Sequence, residues 1–267
     1  MTPSSLLRDV DELPIAWREA GAGATVLFLH GLGMTRTGWD AQLLALADGY
    51  RCVAWDLPGY GASLPLPDFS LEAAADAAAM LIDRLGGSAH VVGLSMGGMV
   101  ALHLALRHPE CVRSLALVDT SPAFGLDGTD PEVWRAARLA PLEAGAEVAD
   151  FAEPVLRGVM APDPDPRAVE AAVQSMLRVP ISGLMQTIAA LPAHDVRARL
   201  GAITAPTLVV VGELDEETPP AYAEALASGI PGARLEVIPG AGHLTPFEAP
   251  AALSRLLRDH VDMVEAV

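Results

Sequence analysis

One serine in this sequence stands where it could act as a nucleophile. Ser95 is the central residue of Gly93-Leu-Ser-Met-Gly97, a G-x-S-x-G pattern between an apolar run of strand length and a helix-like run. A sharp strand-to-helix turn of this kind exposes the serine hydroxyl, and the glycines leave room for the turn to close. Taken alone, a serine at an ordinary glycine-rich helix start explains the pattern equally well.

A serine nucleophile needs a base and a carboxylate that orients the base. His243 follows the apolar run 234–238. Asp215 follows the apolar run 207–211. Because parallel strands in an open sheet end at the same edge, we expect these side chains to meet Ser95 there. The chain order Ser, Asp, His is also that of nucleophile-elbow enzymes. We therefore predict Ser95 as nucleophile, His243 as general base and Asp215 as the orienting acid.

Two further points qualify this triad. Asp119 ends the apolar run 114–118 and is an alternative acid; otherwise it is a polar residue at a strand end. An unperturbed histidine titrates near ~6.5, so half-maximal kcat/KM is expected within about a unit of that pH.

A second glycine-rich turn, His30-Gly-Leu-Gly33, follows the run 25–29 and precedes a helix start. Such a turn can offer a backbone N–H to a developing oxyanion. The expected donors are the N–H of Leu32 and that of Met96, the residue after the nucleophile. His30 itself is interpreted as fixing the turn.

Strand-length apolar runs alternate with helical patterns along most of the chain. The runs are continuously apolar, which is typical of strands covered on both faces in a parallel sheet. The alternation predicts an α/β fold with a mostly parallel, doubly wound sheet. The predicted strands are 25–29, 51–55, 89–94, 114–118, 207–211 and 234–238. The predicted helices of this layer are 41–47, 71–85, 96–107, 221–227 and 249–260.

The alternation stops between residues 121 and 205, where prolines and short helical patterns replace strands. We predict a helical cap insertion at 121–205 over a core formed by 1–120 and 206–267. The alternative is that these helices are further crossovers of the sheet itself. Trp134 and Met160 are the bulky apolar side chains that we expect to bind substrate.

Composition excludes several classes of function. The chain has 34 acidic and 17 basic residues, all of the latter arginine, and a net charge of −17. An acidic protein without an arginine patch is not expected to bind nucleic acid or anionic membranes. The first residues include charged side chains, unlike the apolar core of a signal peptide. Two cysteines are too few to build a disulfide framework in a domain of this size. We expect a soluble, cytoplasmic monomer or homodimer.

Over essentially its whole length the sequence resembles the α/β-hydrolase superfamily. The matching segments are His30-Gly-Leu-Gly33, Asp56-Leu-Pro-Gly-Tyr-Gly-Ala-Ser63, Gly93-Leu-Ser-Met-Gly-Gly98, Gly212-Glu-Leu-Asp215 and Gly240-Ala-Gly-His243. Within the superfamily, Val118-Asp-Thr-Ser121 and a cap helix around Trp134 resemble the 3-oxoadipate enol-lactonase group and carboxylesterases. The resemblance implies the α/β-hydrolase fold and a pocket cation for a carboxylate substrate, with Arg135 and Arg138 as candidates.

The expected activity is hydrolysis of a small-molecule carboxylic ester or lactone without a cofactor or metal, since no metal-ligand spacing or phosphate-binding loop occurs. The same triad would also suit a carbon–carbon bond hydrolase or a perhydrolase. A different class of function is a ligand-binding or cyclisation protein that uses the pocket with little hydrolytic turnover.

Overall fold

Eight strands form one sheet in the computed structural model, which describes residues 6–266. They are β1 (Arg8–Val10), β2 (Trp17–Ala20), β3 (Thr25–Leu29), β4 (Arg51–Trp55), β5 (Ala89–Leu94), β6 (Val112–Val118), β7 (Thr207–Gly212) and β8 (Arg234–Ile238). The strand order is β1-β2-β4-β3-β5-β6-β7-β8. Strands β3 to β8 are parallel, and β1 and β2 join the edge antiparallel. The predicted mostly parallel α/β fold is confirmed.

Ten α-helices lie between or after the strands in the part of the chain that the structure describes. They are α1 (Asp40–Leu46), α2 (Leu71–Leu85), α3 (Met96–Arg107), α4 (Pro131–Glu143), α5 (Val148–Val159), α6 (Pro166–Met176), α7 (Ile181–Ala190), α8 (Pro220–Gly229), α9 (Thr245–Glu248) and α10 (Pro250–Glu265). None of the helices within residues 6–266 combines the length and apolar character needed to cross a membrane.

The continuous apolar runs reflect burial on both faces of the sheet. In β3, Leu27 and Leu29 pack into one hydrophobic cluster with residues of α2, α3 and α8. The alternate residues Val26 and Phe28 pack into a second cluster with α1 and α10 on the opposite face. All four side chains are fully buried, so the central strands have no polar face.

The sequence prediction missed strands β1 and β2. These strands are short and carry charged residues such as Arg18 and Glu19, so neither shows an apolar run. β1 is the edge strand and needs fewer apolar residues because part of it faces solvent. β2 lies inside it, where the buried Glu19 is paired with Arg8 and Arg51. Residues 21–24 connect β2 to β3, which are not neighbours in the sheet because β4 lies between them.

Four helices, α4 to α7, lie between β6 and β7. No strand occurs among residues 121–205, although Ala123 forms an isolated antiparallel bridge with Asp195. The two ends of this helical segment are thus tied to each other, and Val196 N–H also donates to the Pro122 carbonyl. The segment begins and ends at adjacent strands of the sheet.

Candidate active site

Ser95 occupies a strained turn between β5 and α3. Its backbone has φ 51° and ψ −118°, a conformation that residues other than glycine rarely adopt. The turn closes so tightly that a Cβ on Gly93 would lie 2.4 Å from the Gly97 carbonyl oxygen. A Cβ on Gly97 would lie 2.1 Å from the Leu29 carbonyl oxygen. The glycines of the motif are therefore required for the serine to project from the end of the strand.

Three side chains from separate loops form one hydrogen-bonded chain. The Ser95 hydroxyl lies 2.9 Å from His243 Nε2. His243 Nδ1 lies 2.9 Å from Asp215 Oδ2. A carboxylate can only accept, so Nδ1 carries the proton and Nε2 is free to accept the serine proton. The structure brings together the three residues that the sequence proposed as a triad.

The carboxylate of Asp215 is buried and fully hydrogen-bonded. Its Oδ1 accepts from the backbone N–H groups of Glu217 and Thr218 at 2.9 and 2.8 Å. The Thr218 hydroxyl donates to Oδ2 at 2.8 Å. These donors hold the carboxylate in one orientation toward His243. Sequence reasoning missed Thr218, although an aspartate that caps the N–H groups two and three residues later is a common turn pattern.

His243 is buried beside two carboxylates. Burial alone would lower its pKa, but the attraction of Asp215, with a smaller contribution from Asp119, raises the pKa to about 9. The site therefore favours the imidazolium that would form when the serine proton is transferred. This differs from the expectation of an unperturbed histidine.

Glu248 in α9 holds the loop that carries His243. Its carboxylate accepts hydrogen bonds from the backbone N–H groups of Gly242 at 3.1 Å and Leu244 at 2.9 Å. These donors flank the histidine on both sides, so the glutamate fixes the loop through its backbone. The role of Glu248 is not predictable from the sequence, because a glutamate in a short helix carries no distinguishing pattern.

Among residues 6–266, Asp119 forms no hydrogen bond with either ring nitrogen of His243. It is fully buried at the end of β6 with φ 45°. It accepts hydrogen bonds from Gly212 N–H at 2.9 Å and from the Thr245 hydroxyl at 2.7 Å. Burial and the charge of Asp215 raise the pKa of Asp119 to about 8. The geometry thus favours Asp215 over Asp119 as the partner of the base.

Two backbone N–H groups in the turns beside Ser95 have no protein hydrogen-bond partner among residues 6–266. They belong to Leu32, in the turn after β3, and to Met96, the first residue of α3. The turn lies against the serine, since a Cβ on Gly31 would be 3.3 Å from the Ser95 Cβ. Free N–H groups at a helix start can stabilise an oxyanion.

His30 links this turn to the loop after β4. Its Nε2 accepts from Leu57 N–H at 3.0 Å, and its Nδ1 donates to the Gly31 carbonyl at 3.0 Å. Burial lowers the pKa of His30, so the ring stays neutral and serves both bonds. Its contacts are those of a residue that shapes the turn.

A cavity of about 610 Å³ opens beside Ser95 and His243. Its wall is mostly apolar and comes from the turn after β3, from α3, from the helical segment and from the loops after β7 and β8. The helical segment contributes Phe124, Trp134, Leu142, Phe151, Val155, Leu156, Val159, Met176, Leu184, Ile188 and Leu191. Within residues 6–266, no group of three or more His, Cys, Asp or Glu residues is placed to hold a metal ion.

The residues predicted to bind substrate differ in position. Trp134 lines the cavity, with its ring packed edge-on against Phe124 at 5.1 Å between centroids. Arg138 also lines the cavity, whereas Arg135 pairs with Glu132 and is not part of the wall. Trp134 and Arg138 are therefore part of the cavity wall, and Arg135 is not.

Met160 does not line the cavity, contrary to the expectation from sequence. Val159 accepts a hydrogen bond from His243 N–H at 2.9 Å, and Ala161 N–H donates to Glu248 at 2.8 Å. These bonds fix the backbone against the histidine loop and turn the Met160 side chain into the hydrophobic cluster, where it is 7% exposed.

Comparison with known proteins agrees with this architecture. A family model described as the alpha/beta hydrolase family matches residues 26–256. A pimeloyl-(acyl-carrier protein) methyl ester esterase of Chromobacterium violaceum is 35% identical over 249 residues, covering 91% of this chain and 96% of the relative.

Solved structures give the same result. A thermophilic esterase from Thermogutta terrifontis superposes with a TM-score of 0.85 at 31% identity, covering 97% of this chain and 98% of the other. The enol-lactonase from Burkholderia xenovorans LB400 has a TM-score of 0.84 at 24% identity, covering 96% and 100%, a likeness of fold. The resemblance to the superfamily is confirmed: this chain belongs to the alpha/beta hydrolase family and is a hydrolase.

Proposed function

We propose that this protein is a cofactor-independent serine hydrolase that cleaves a carboxylic ester or lactone. The observation that carries the proposal is the unbroken hydrogen-bonded chain from Ser95 through His243 to Asp215, with links of 2.9 Å. Ser95 and His243 line an apolar cavity that is large enough for a small organic ester.

The reaction begins when neutral His243 takes the hydroxyl proton of Ser95 and the serine oxygen attacks the substrate carbonyl. Asp215 stabilises the imidazolium that forms. The negative charge on the carbonyl oxygen is then stabilised by the N–H groups of Leu32 and Met96. The imidazolium returns its proton to the leaving alkoxide, and an acyl-serine ester remains.

Water completes the cycle. His243 removes a proton from a water molecule, whose oxygen attacks the acyl-serine carbonyl through the same oxyanion geometry. Collapse of this second tetrahedral intermediate returns the proton to the Ser95 oxygen and releases the carboxylic acid. In a lactone, alcohol and acid remain one molecule, and the product is a hydroxy acid.

The helical segment 121–205 serves as a cap that selects the substrate in this proposal. The triad residues and the two N–H donors lie outside the segment, at the ends of strands or in the loops that follow them. Trp134 contributes a large apolar surface to the cavity wall and is the substrate-contacting residue that we propose. Specificity usually resides in loops and caps over a rigid scaffold.

The test is turnover of p-nitrophenyl butyrate and of γ-lactones by wild type and by Ser95→Ala. We expect wild type to hydrolyse at least one of these classes. Ser95→Ala should lose roughly 10⁴-fold or more in kcat while its circular dichroism and Tm stay close to wild type. Equal turnover by the two proteins would overturn the proposal. Binding of these compounds without turnover by wild type would favour a ligand-binding protein instead.

A further inference from the structure

The mouth of the active-site cavity is acidic. Among the described residues that line the cavity, five carry Asp, Glu or Arg side chains, and all five are exposed and thus lie at the opening. They are Asp127, Arg138, Asp150, Glu216 and Glu217. Four carboxylates and one guanidinium give the opening a net negative charge, so its field repels an approaching anion.

The guanidinium of Arg138 is already engaged. It lies over the ring of Trp134 at 4.1 Å from the centroid, an arrangement that attracts the cation to the ring face. Its nearest carboxylate is Glu217, with an N–O separation of 3.8 Å. An anionic group that bound Arg138 would compete with Glu217 and lie within reach of the glutamate's charge.

Glu217 is itself fixed close to the reacting groups. Its backbone N–H donates to Asp215 Oδ1, so its side chain begins at the loop that orients His243. Arg138 stands across the opening on α4. The pair therefore joins the helical segment to the catalytic loop at the cavity mouth.

Among the described residues that line the cavity, the only arginine is Arg138 at the opening, so the buried interior offers no guanidinium to a carboxylate. Its buried walls are formed by side chains such as Leu142, Leu156, Met176 and Leu184. Transfer of an ionised carboxylate into such surroundings without a partner is strongly unfavourable. A neutral alkyl group gains from burial there instead.

We propose that the Arg138–Glu217 pair makes this site selective for esters and lactones with uncharged acyl groups, and that it discriminates against acyl groups bearing a second carboxylate. This inference rests on the proposed hydrolase function. It departs from the carboxylate-binding pocket that the resemblance to enol-lactonases implied. In this account Arg138 is an ion-paired residue of the opening and provides no carboxylate receptor.

Three p-nitrophenyl esters of the same acyl length test the proposal: the hexanoate, the mono-adipate and the adipic monoamide. The monoamide and the mono-adipate are nearly isosteric and differ in charge, so their comparison separates charge from polarity. We expect kcat/KM for the mono-adipate to be at least about tenfold below that for the monoamide. Added salt should narrow this difference, because exposed charges are screened.

Matched variants test the role of the pair. Glu217→Gln releases Arg138 and should raise the adipate-to-monoamide ratio of kcat/KM by about two- to fivefold, the range that an exposed ion pair provides. Glu216→Gln removes the same charge from the same opening but no contact to Arg138, so its ratio should change less. Arg138→Gln removes the guanidinium from the opening and should lower the adipate-to-monoamide ratio below the wild-type value.

The outcomes are distinguishable. Hydrolysis of all three esters with the mono-adipate equal to or better than the monoamide would overturn this inference and leave the hydrolase function intact. Equal ratios in Glu217→Gln and Glu216→Gln would overturn the role of the ion pair. Failure of wild type to hydrolyse any of the three, without labelling of Ser95, would count against the proposed function itself.

Discussion

The carboxylate of Asp119 accepts two hydrogen bonds from Thr245, one from its backbone N–H at 3.2 Å and one from its hydroxyl at 2.7 Å. Its other oxygen accepts from Gly212 N–H at 2.9 Å. Thr245 lies two residues after His243, and Gly212 lies three residues before Asp215. One buried side chain thus joins the loop of the proposed acid to the loop of the proposed base.

This relationship predicts different effects for two aspartates. Asp215→Asn should lower kcat steeply, because an amide can hold the imidazole in the wrong tautomer. Asp119→Asn retains one carbonyl acceptor and should reduce kcat less. It should also move the pH profile toward lower pH, since the charge of Asp119 raises the pKa of His243. The measurement is kcat/KM against pH for wild type and both variants.

Asp119→Ala tests how much the hydrogen bonds of Asp119 contribute to the stability of the fold. It leaves the buried N–H groups of Gly212 and Thr245 without this acceptor, at a cost of about 1–3 kcal/mol for each group. We expect a lower free energy of unfolding in urea than for Asp119→Asn. If Asp119→Asn is crippling and Asp215→Asn is mild, the acid has been misassigned.

The pH dependence follows from the raised pKa of His243. Below that pKa, the imidazole is protonated and cannot accept the Ser95 proton, so activity is lost as pH falls. With a pKa of about 9, kcat/KM should still be rising between pH 7 and pH 9. Initial rates with a butyrate ester, corrected for spontaneous hydrolysis, measure the profile. A plateau that is already complete at pH 7 would contradict the raised pKa.

Trp134 and Met160 form a matched pair for substrate choice. Trp134→Ala removes a large part of the cavity wall and should shift the preference between acetate, butyrate and bulkier esters by about 10- to 200-fold. Met160→Ala should cost about 2–5 kcal/mol of stability, because a buried core side chain is truncated. Its substrate ratios should stay within about twofold of wild type. A shift in Met160→Ala as large as in Trp134→Ala would place the methionine in the substrate's path.

The tight turn at Ser95 predicts intolerance at Gly93. An added Cβ would lie 2.4 Å from the Gly97 carbonyl oxygen and 2.6 Å from Gly98 Cα, and backbone atoms cannot move aside. Gly93→Ala should therefore lose activity and lower Tm. Gly201→Ala is the control, since its Cβ would meet nothing within 4 Å. Comparable activity in the two variants would contradict the packing described for the turn.

Much of this site could be predicted because its residues follow strands with distinctive sequences. Ser95 and Asp215 each follow a fully buried strand, and such strands show as apolar runs. The short charged strands β1 and β2 gave no such signal. The supporting contacts could not be predicted either, since Thr245 and Glu248 act through hydrogen bonds whose partners depend on how separate loops meet in the fold.

The same limit applies to the cavity wall. Trp134 and Met160 are both apolar residues of the helical segment, and nothing in their local sequence tells which one faces inward. Their difference arises because the backbone beside Met160 is hydrogen-bonded to the histidine loop at Val159. The engagement of Arg138 by Glu217 likewise joins residues far apart in sequence.

The central claim is that Ser95 is the nucleophile activated by His243. A fluorophosphonate probe, followed by peptide mass spectrometry, tests it most directly, because the probe reacts covalently with an activated serine hydroxyl. We predict labelling at Ser95 alone in wild type, none in Ser95→Ala and strongly slowed labelling in His243→Ala. Labelling that persists at another residue in folded Ser95→Ala, or wild-type labelling unaffected by loss of His243, would contradict the account.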